Sequence, residues 1–299
     1  MPDITKDFNL TFRPGRIDDV NEVGRIIFDA FTSLANKHHF LSDFPTPNAG
    51  IDAASYFLAN PGFFSVVAEY NGKIIGSNFL DERSNMVAGV GPITLDPNYQ
   101  NKGVGRQLMK NVMERAANKN FPAIRLLQTS YNSQSLSLYV SLGFEIREPI
   151  SNIQGKPIQK VIPGRDVRKA TESDLKTCNA ICKEIHGHDR NGELRESIRQ
   201  GTAQVVLCGD KITGYTTGLT FFNHSVGFTN DDIMALIASS LYSTTNDSYG
   251  GPGILIPSRN TQLLRWCLDN GLKLVQQLTL MTIGLYSEPA GSYIPSVLY

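Results

Sequence analysis

The sequence has few cysteines, no excess of charge of either sign and no long apolar run. Only four of its 299 residues are cysteine, and all four lie in the second half, which excludes the disulfide framework of a small secreted protein. Twenty-eight basic residues balance 28 acidic ones, which argues against a surface dedicated to nucleic acid or to an anionic membrane. No apolar stretch reaches the roughly 18 residues that a membrane-spanning helix needs.

The N-terminal segment MPDITKDFNL lacks the apolar core of a signal peptide. We therefore expect a cytoplasmic protein that binds neither nucleic acid nor membranes, and its composition leaves the oligomeric state open. With 41% hydrophobic and 19% charged residues, the chain has a globular composition. Its length suits two domains better than one.

The first half alternates strand and helix patterns. Apolar residues spaced three and four apart after Asp18 and Asp19 predict a helix that reaches Phe31. Asn71-Gly72 predicts a hairpin turn, and the prolines and glycine within 40–51 predict a loop. Further along, the patterns predict a strand over 86–95, a helix over 103–118, a strand over 123–129 and a helix over 133–142.

The same order of elements recurs in the second half of the chain. Three sets of residues repeat at offsets of 155, 138 and 128: Arg13 and Asp19 as Arg168 and Asp174, Gly76 as Gly214, and Asn132 and Gly143 as Asn260 and Gly271. Offsets that shrink while the order is kept indicate a tandem duplication with shortened connections. The Gly- and Pro-containing segment between the copies predicts domains over 8–150 and 166–299, joined by a linker over 151–165.

A glycine-rich loop leads from the predicted strand 86–95 into the next helix. It runs Gln100-Asn-Lys-Gly-Val-Gly-Arg106, and its two glycines let successive backbone N–H groups approach a ligand closely. Those groups stand at a helix N-terminus, which favours an anion, and Lys102 and Arg106 add positive charge. The loop matches neither a P-loop nor a dinucleotide fingerprint. It therefore predicts a diphosphate site of another kind.

A second motif follows on the helix 133–142. Asn132 and Tyr139 are seven residues apart and so share a helix face, while Ser133 is the predicted N-cap and Ser135 lies in the first turn. Together with Gln-x-x-Gly-x-Gly, this Asn–Tyr helix resembles the coenzyme A signatures of the GNAT (N-acetyltransferase) superfamily. The resemblance covers residues 10–147.

The resemblance implies an α+β fold of two tandem GNAT-like domains. Each would have a central, mostly antiparallel twisted sheet, flanked by helices and splayed at the coenzyme site. Acetyl-CoA would be the cofactor, with no metal. By resemblance, the coenzyme-binding residues are Ile93, Thr94, Leu95, Gln100, Asn101, Lys102, Gly103, Val104, Gly105, Arg106, Asn132 and Ser135.

The resemblance also implies an enzyme, in which a primary amine of a small molecule attacks the acetyl thioester directly. Tyr139 would be the general acid toward sulfur, since an ordinary tyrosine pKa near ~10 keeps it protonated at neutral pH. The strand 86–95 lacks the carboxylate that many relatives use as a base, and Asp81 and Glu82 are the nearest alternatives. His39 is a candidate for the acceptor site. A protein or peptide N-acetyltransferase and a non-catalytic acyl-CoA sensor or scaffold remain alternatives.

The second copy lacks the residues that carry this chemistry. Its counterpart of the loop, Gly227–Ile233, has no Gly-x-Gly and no basic pair, and Tyr139 corresponds to Cys267. We therefore expect the C-terminal domain to be a degenerate GNAT-like domain.

Two cysteines and two histidines follow one another closely at the start of the second copy. Their spacing would suit a soft-metal site, but it is also typical of a buried helix stripe, because free cysteine is among the most buried residues. We favour the stripe, and expect no metal at Cys178, Cys182, His186 and His188.

Overall fold

The computed structural model describes residues 9–239 and 253–298. The chain divides into two compact units: unit 1 comprises the residues up to 126 and 131–142, and unit 2 comprises 127–130 and the residues from 143 onward. Within the described ranges, no helix is both long and apolar enough to cross a bilayer.

Unit 1 is a sheet covered by helices. Its strands are β1 (Leu10–Pro14), β2 (Phe63–Tyr70), β3 (Lys73–Asp81), β4 (Val87–Val90), β5 (Thr94–Leu95) and β6 (Ala123–Thr129), whose last three residues are counted with unit 2. Its helices are α1 (Val20–His38), α2 (Pro47–Ala59), α3 (Val104–Asn118) and α4 (Ser133–Ser141), with short 3-10 turns at Ile17–Asp19 and Pro97–Tyr99.

The strand order in unit 1 is β1-β2-β3-β4-β6. The first four strands are antiparallel, β6 runs parallel to β4, and β5 pairs with β3 beyond the end of β4. The amphipathic helices bury one face each on this sheet, as the three-and-four spacing predicts; the fully buried apolar side chains include Val23, Ile26, Ile27, Leu108 and Val112. The predicted mixed, mostly antiparallel sheet with flanking helices is confirmed.

The segment 40–51 is a loop only in its first part, because α2 begins inside it. Pro47 occupies the first turn of α2, and the Thr46 hydroxyl caps the helix by accepting from the Ala49 amide at 3.2 Å. Proline suits this position because the first turn does not use its N–H groups in the helix. The proline pattern therefore marks a helix start, and the prediction of loop through residue 51 is wrong.

Unit 2 repeats the order of elements. Its strands are β7 (Glu145–Gln154), β8 (Asp166–Lys169), β9 (Gln204–Cys208), β10 (Lys211–Thr216), β11 (Ser225–Gly227), β12 (Ile254–Pro257), β13 (Lys273–Gly284) and β14 (Ser292–Ile294). Its helices are α5 (Leu175–His186), α6 (Asn191–Gln200), α7 (Asn230–Ser239) and α8 (Thr261–Asp269), with a 3-10 turn at Glu172–Asp174.

Two groups of strands make up unit 2. The order β14-β11-β10-β9-β8 is antiparallel throughout, and β7 pairs antiparallel with both β12 and β13. Because β7 continues to Gln154 with residues 151–154 buried, those four residues are strand where the sequence predicts a linker. The glycine and proline that suggested the linker come only after this strand, at Gly155 and Pro157.

An arginine–aspartate pair repeats at the start of each copy. Arg13 and Asp19 form an ion pair at 2.8 Å, and Arg168 and Asp174 form one at the same distance. Each aspartate also accepts a backbone N–H three residues earlier, and the hydrogen bond from its arginine lowers its pKa. The repeat offset of 155 therefore joins structurally equivalent residues, which supports the duplication.

Candidate functional site

The last two strands in the sheet order of unit 1, β4 and β6, separate along their length. The parallel pairing of β4 with β6 covers only 87–89 against 123–125, and the chain then passes through the irregular segment 91–93 into β5. Thr94 is buried there, with its hydroxyl 3.2 Å from that of Ser77 on β3. The predicted single strand over 86–95 is thus two short strands, with a splay beside them.

The backbone of β5 directs a polar group toward this splay. The Asp96 amide donates to the Ile75 carbonyl on β3 at 2.9 Å, and along an antiparallel ladder successive amides point to opposite sides. The Leu95 amide therefore points away from β3, toward the side on which β6 diverges. In the described part of the chain, β5 pairs with β3 alone. An extended ligand could thus bind along β5 as an added strand does.

The glycine loop follows β5 and forms a backbone concavity at the start of α3. Asn101 and Gly103 both have left-handed backbone, with φ of 61° and 83°. The helix α3 begins at Val104, and its first bond inside the turn runs from the Arg106 amide to the Gly103 carbonyl at 3.1 Å. The amides of Val104 and Gly105 thus precede the helical ladder. Left-handed residues alternating with other conformations make the backbone concavity that binds phosphate in many proteins.

The two basic residues of the loop are held in different ways. The Lys102 ammonium lies 4.8 Å from the centroid of the Tyr99 ring, a cation–π contact that leaves its charge beside the loop. Arg106 donates to the Ser141 hydroxyl at 2.8 Å, which ties the start of α3 to the end of α4. Gln100 is half-buried at the end of the preceding 3-10 turn. Both charges predicted beside the loop are therefore present.

Helix α4 closes the other side of the loop. The Gln134 amide donates to the Asn101 side-chain oxygen. A Cβ added to Gly105 would lie 3.4 Å from the Leu95 side chain and 3.9 Å from that of Leu138. Thus β5, the loop and α4 converge at Gly105. The sequence motifs did not reveal the Gln134 contact, although Gln134 stands next to the predicted N-cap.

The start of α4 differs in one residue from the prediction. Asn132, rather than Ser133, is the N-cap: its side-chain oxygen accepts from the Ser135 amide at 3.2 Å, and the Ser135 hydroxyl donates to the Asn132 carbonyl at 3.0 Å. Asparagine caps a helix as well as serine does, so the N-cap lies one residue earlier than predicted. Both predicted coenzyme-binding residues of this helix therefore also shape its first turn.

Tyr139 lies on α4 one residue after Leu138, the residue that faces Gly105. Its side chain is 7% exposed, and burial raises the pKa of its hydroxyl. The neutral, proton-carrying form is therefore stabilised further than in a free tyrosine. Its role as a general acid stays a prediction.

Both carboxylates considered as bases are engaged in ion pairs. Asp81 accepts two hydrogen bonds from the Arg83 guanidinium, at 2.9 and 2.6 Å, and Glu82 accepts two from that of Arg115, at 2.6 and 3.0 Å. In each pair the guanidinium occupies the carboxylate oxygens that a base would use to accept a proton. The geometry thus favours a structural role for both.

An aromatic cluster joins the loop after α1 to the end of β6. Phe40 stacks on Tyr131 with ring centroids 4.2 Å apart and 6° between the planes, and the His38 ring lies 5.2 Å from Tyr131. Burial and the nearby Asp43 carboxylate raise the pKa of Tyr131 to about 12. His39 is instead the exposed C-cap of α1, with a left-handed φ of 60°. The structure thus brings His38, not His39, to this cluster. The sequence motifs did not include Tyr131.

The corresponding helix of unit 2 keeps the cap and loses the tyrosine. Asn260 caps α8 by accepting from the Leu263 amide at 3.3 Å, as Asn132 caps α4. The offset of 128 is therefore structurally valid, and the position equivalent to Tyr139 is held by the fully buried Cys267. Burial raises the pKa of this thiol to about 12.

The cysteines and histidines of α5 form a buried stripe. Cys178 and Cys182 are fully buried, and Cys182 is hydrogen-bonded to Tyr215. Helix α5 ends at His186 with a left-handed Gly187, so His188 lies beyond the helix. No group of three or more metal-ligating side chains comes together within residues 9–239 and 253–298.

Comparisons with known proteins agree with this fold. Residues 28–144, most of unit 1, match the model of the Acetyltransferase (GNAT) family. A curated relative, N-acetylaspartate synthetase of Xenopus tropicalis, is 31% identical over 96 residues, which are 31% of this chain and 35% of that protein. The chain thus spans about a third of the length of this relative.

Solved structures match nearly the whole chain. A putative acetyltransferase from Pyrococcus horikoshii superposes with a TM-score of 0.72 at 18% identity, covering 95% of this chain and 92% of that one. A tandem GNAT protein from the clavulanic acid biosynthesis pathway superposes with a TM-score of 0.58 at 14% identity, covering 92% and 98%. The chain therefore has a GNAT fold that extends over both units.

Proposed function

We propose that this protein is an acetyl-CoA-dependent N-acetyltransferase whose active site lies in unit 1. The observation that carries the proposal is the convergence at Gly105 of three parts: the outward-facing backbone of β5, the left-handed loop at the start of α3, and the helix α4 that bears Tyr139. The match of residues 28–144 to the GNAT family supports the same function.

The residues present fit an acyl-CoA. The amides of the loop 100–106, with Lys102 and Arg106 beside them, would hold the diphosphate. The backbone over Ile93–Leu95 would pair with the pantetheine arm as an added strand, and Asn132 and Ser135 would line its other side. When bound, the coenzyme supplies an acetyl group activated as a thioester.

The chain's own residues would then do two things. Backbone N–H groups near Ile93–Leu95 would polarise the acetyl carbonyl. Tyr139 would donate its proton to the departing sulfur, and its burial keeps it protonated. The amine would attack directly and lose its proton to solvent, since Asp81 and Glu82 are paired with arginines.

We propose a small-molecule primary amine as the acceptor. The partial similarity to N-acetylaspartate synthetase, whose name indicates a small amino-group acceptor, supports this class. Phe40 and Tyr131 form a stacked aromatic wall at the end of β6, next to the start of α4. We infer that the organic part of the amine packs on this wall, with Asp43 nearby for a positive charge.

We also propose that unit 2 is a degenerate, non-catalytic domain. Cys267 stands where unit 1 has Tyr139, and a buried thiol with a raised pKa has no evident part in acetyl transfer.

The test is a double substitution, Gly103→Val with Gly105→Val, compared with the parent protein by calorimetric titration of acetyl-CoA and by release of free thiol across a panel of amines. We expect binding and thiol release in the parent and neither in the variant. Tight binding without thiol release from any amine would favour the acyl-CoA sensor. Unchanged binding in the variant would refute the site.

A further inference from the structure

Unit 2 contains the counterpart of the coenzyme cleft. Gly76 on β3 pairs with Leu95, and Gly214 on β10 pairs with Gly227. A Cβ added to Gly76 would lie 2.7 Å from the backbone carbonyl of β5, and one added to Gly214 would lie 2.5 Å from that of β11. Both glycines thus allow the same close approach of a neighbouring strand. Strand β11 is therefore the counterpart of β5. In the same way β12 is the counterpart of β6, since it precedes the helix that Asn260 caps.

The edge that β5 leaves open is occupied in β11. The short strand β14 pairs antiparallel with β11, with Ile294 opposite Ser225, Tyr293 opposite Val226 and Ser292 opposite Gly227. On its other side β14 contacts β12. The chain's own strand therefore lies in unit 2 where the proposed function places pantetheine in unit 1.

The anion-binding end of this cleft is also filled from within. Eight residues separate β5 from α3, but only Phe228 and Thr229 separate β11 from α7. The buried Asp232 carboxylate accepts from the Thr229 amide at 2.9 Å and pairs with Arg165 at 2.7 Å. An internal carboxylate thus sits at the helix start that corresponds to the diphosphate position.

The strand β14 is anchored at several points. Tyr293 and Ile294 are 4% and 1% exposed. The Tyr293 hydroxyl donates to the buried Glu148, which also lies 2.9 Å from the Arg259 guanidinium. The Val297 amide donates to a backbone carbonyl at 2.8 Å. These contacts are those of a structural strand.

We propose that the segment 292–298 is an internal peptide ligand of the acyl-carrier cleft of unit 2, so that the chain binds one coenzyme, in unit 1. The physical reason is that an unpaired strand edge inside a protein needs hydrogen-bond partners. In unit 1 a ligand can supply these hydrogen-bond partners. In unit 2, where the loop is shorter, the chain itself supplies them through β14. The inference rests on the proposed function for the identity of the cleft.

The first test counts bound acetyl-CoA by native mass spectrometry and calorimetry. One equivalent is expected for the full chain and none for the Gly103→Val, Gly105→Val variant.

A second test locks β14 in place. Ser225→Cys with Ile294→Cys, in a Cys208→Ser background, should form a disulfide, since directly opposed residues of antiparallel strands are close enough for one. The locked protein should bind one equivalent with the parent's Kd. The inference would be overturned if the parent bound two equivalents of acetyl-CoA or if the glycine variant still bound one. Weaker binding of acetyl-CoA by the locked protein would also overturn it.

Hydrogen exchange provides a readout that does not depend on coenzyme binding. Amides of 225–227 and 292–294 should exchange about 10³-fold or more slowly than free peptide, because they open only with unit 2, and acetyl-CoA should leave their rates unchanged. Fast exchange in these segments would overturn the proposal. A parent protein that binds no acetyl-CoA would refute the proposed function, and the exchange rates would still decide whether β14 fills its cleft.

Discussion

Replacing Gly105 by alanine separates a ligand-binding role of the glycine loop from a folding role. Gly105 lies in the first turn of α3, and an added Cβ would meet Leu95 at 3.4 Å and Leu138 at 3.9 Å, both ordinary contact distances. The folded chain therefore has room for the methyl group. Alanine also favours a helix over glycine by about 0.5–1 kcal/mol. We expect the Gly105→Ala protein to unfold at the same temperature as the parent or above it.

The same methyl group would lie between Leu95 on β5 and Leu138 on α4, the two elements that flank the proposed coenzyme cleft. It would push the diphosphate away from the loop amides. A hydrogen bond to a charged group contributes about 1.5–3 kcal/mol, so losing one raises the Kd for acetyl-CoA roughly 10- to 150-fold. A more stable protein that binds coenzyme more weakly is the signature of a site residue.

Calorimetric titration beside thermal unfolding measures both effects. Lys110→Ala, on the exposed part of the same helix, is the matched control, with the parent's Kd expected. The reasoning is refuted if Gly105→Ala binds acetyl-CoA as tightly as the parent. It is also refuted if binding is lost only because the variant unfolds.

Further substitutions test the acid, the acceptor wall and the repeated ion pairs. Tyr139→Phe should lower kcat about 10²-fold or more with an unchanged Kd for acetyl-CoA, and an unchanged kcat would remove Tyr139 from the role of acid. Because burial raises the Tyr139 pKa, its deprotonation should cause no loss of kcat between pH 7 and 10; a loss in that range that Tyr139→Phe abolishes would contradict this. Tyr131→Ala should raise KM for aromatic amines several-fold and leave the coenzyme Kd alone, which competition kinetics would check. Asp19→Asn and Asp174→Asn should each lower the free energy of unfolding by about 1–3 kcal/mol. Since the native pKa of both aspartates is lowered, that difference should shrink as the pH falls below about 4, and a pH-independent difference in urea unfolding would count against it.

The geometry of the glycine loop could be predicted from sequence because it is local. Gly103 has a left-handed φ, and the residues after it start a helix. A short stretch of sequence therefore determines both the turn and the helix start. Asn101 adds a second left-handed residue, which asparagine tolerates better than most. The repeat could be found for a similar reason, since Asn132 and Asn260 cap equivalent helices by the same hydrogen bond.

The contact between Phe40 and Tyr131 could not be predicted in this way, and the prediction for the first residues of α2 is wrong although their signal is local. Phe40 and Tyr131 are far apart in sequence and meet only because the loop after α1 reaches the end of β6. Pro47 looked like a loop residue, and only the Thr46 cap shows that it begins a helix. In both cases a tertiary contact or a cap decides what an ambiguous local pattern becomes.

On the proposed function, the two units differ in what pairs with the strand edge beside the cleft. A glycine loop can be shortened without breaking the sheet, but the strand beside it then keeps an open edge at the centre of the unit. In unit 2 that edge is paired by β14, and Asp232 caps the helix start. The β14 backbone pairs with the strand edge, and the Asp232 carboxylate lies at the helix start, where it accepts from the Thr229 amide just before α7. Unit 1 has neither replacement among its described residues: β5 pairs only with β3 there, and its loop is eight residues long. The retained opening is thus a feature for which we propose unit 1 as the ligand-binding copy.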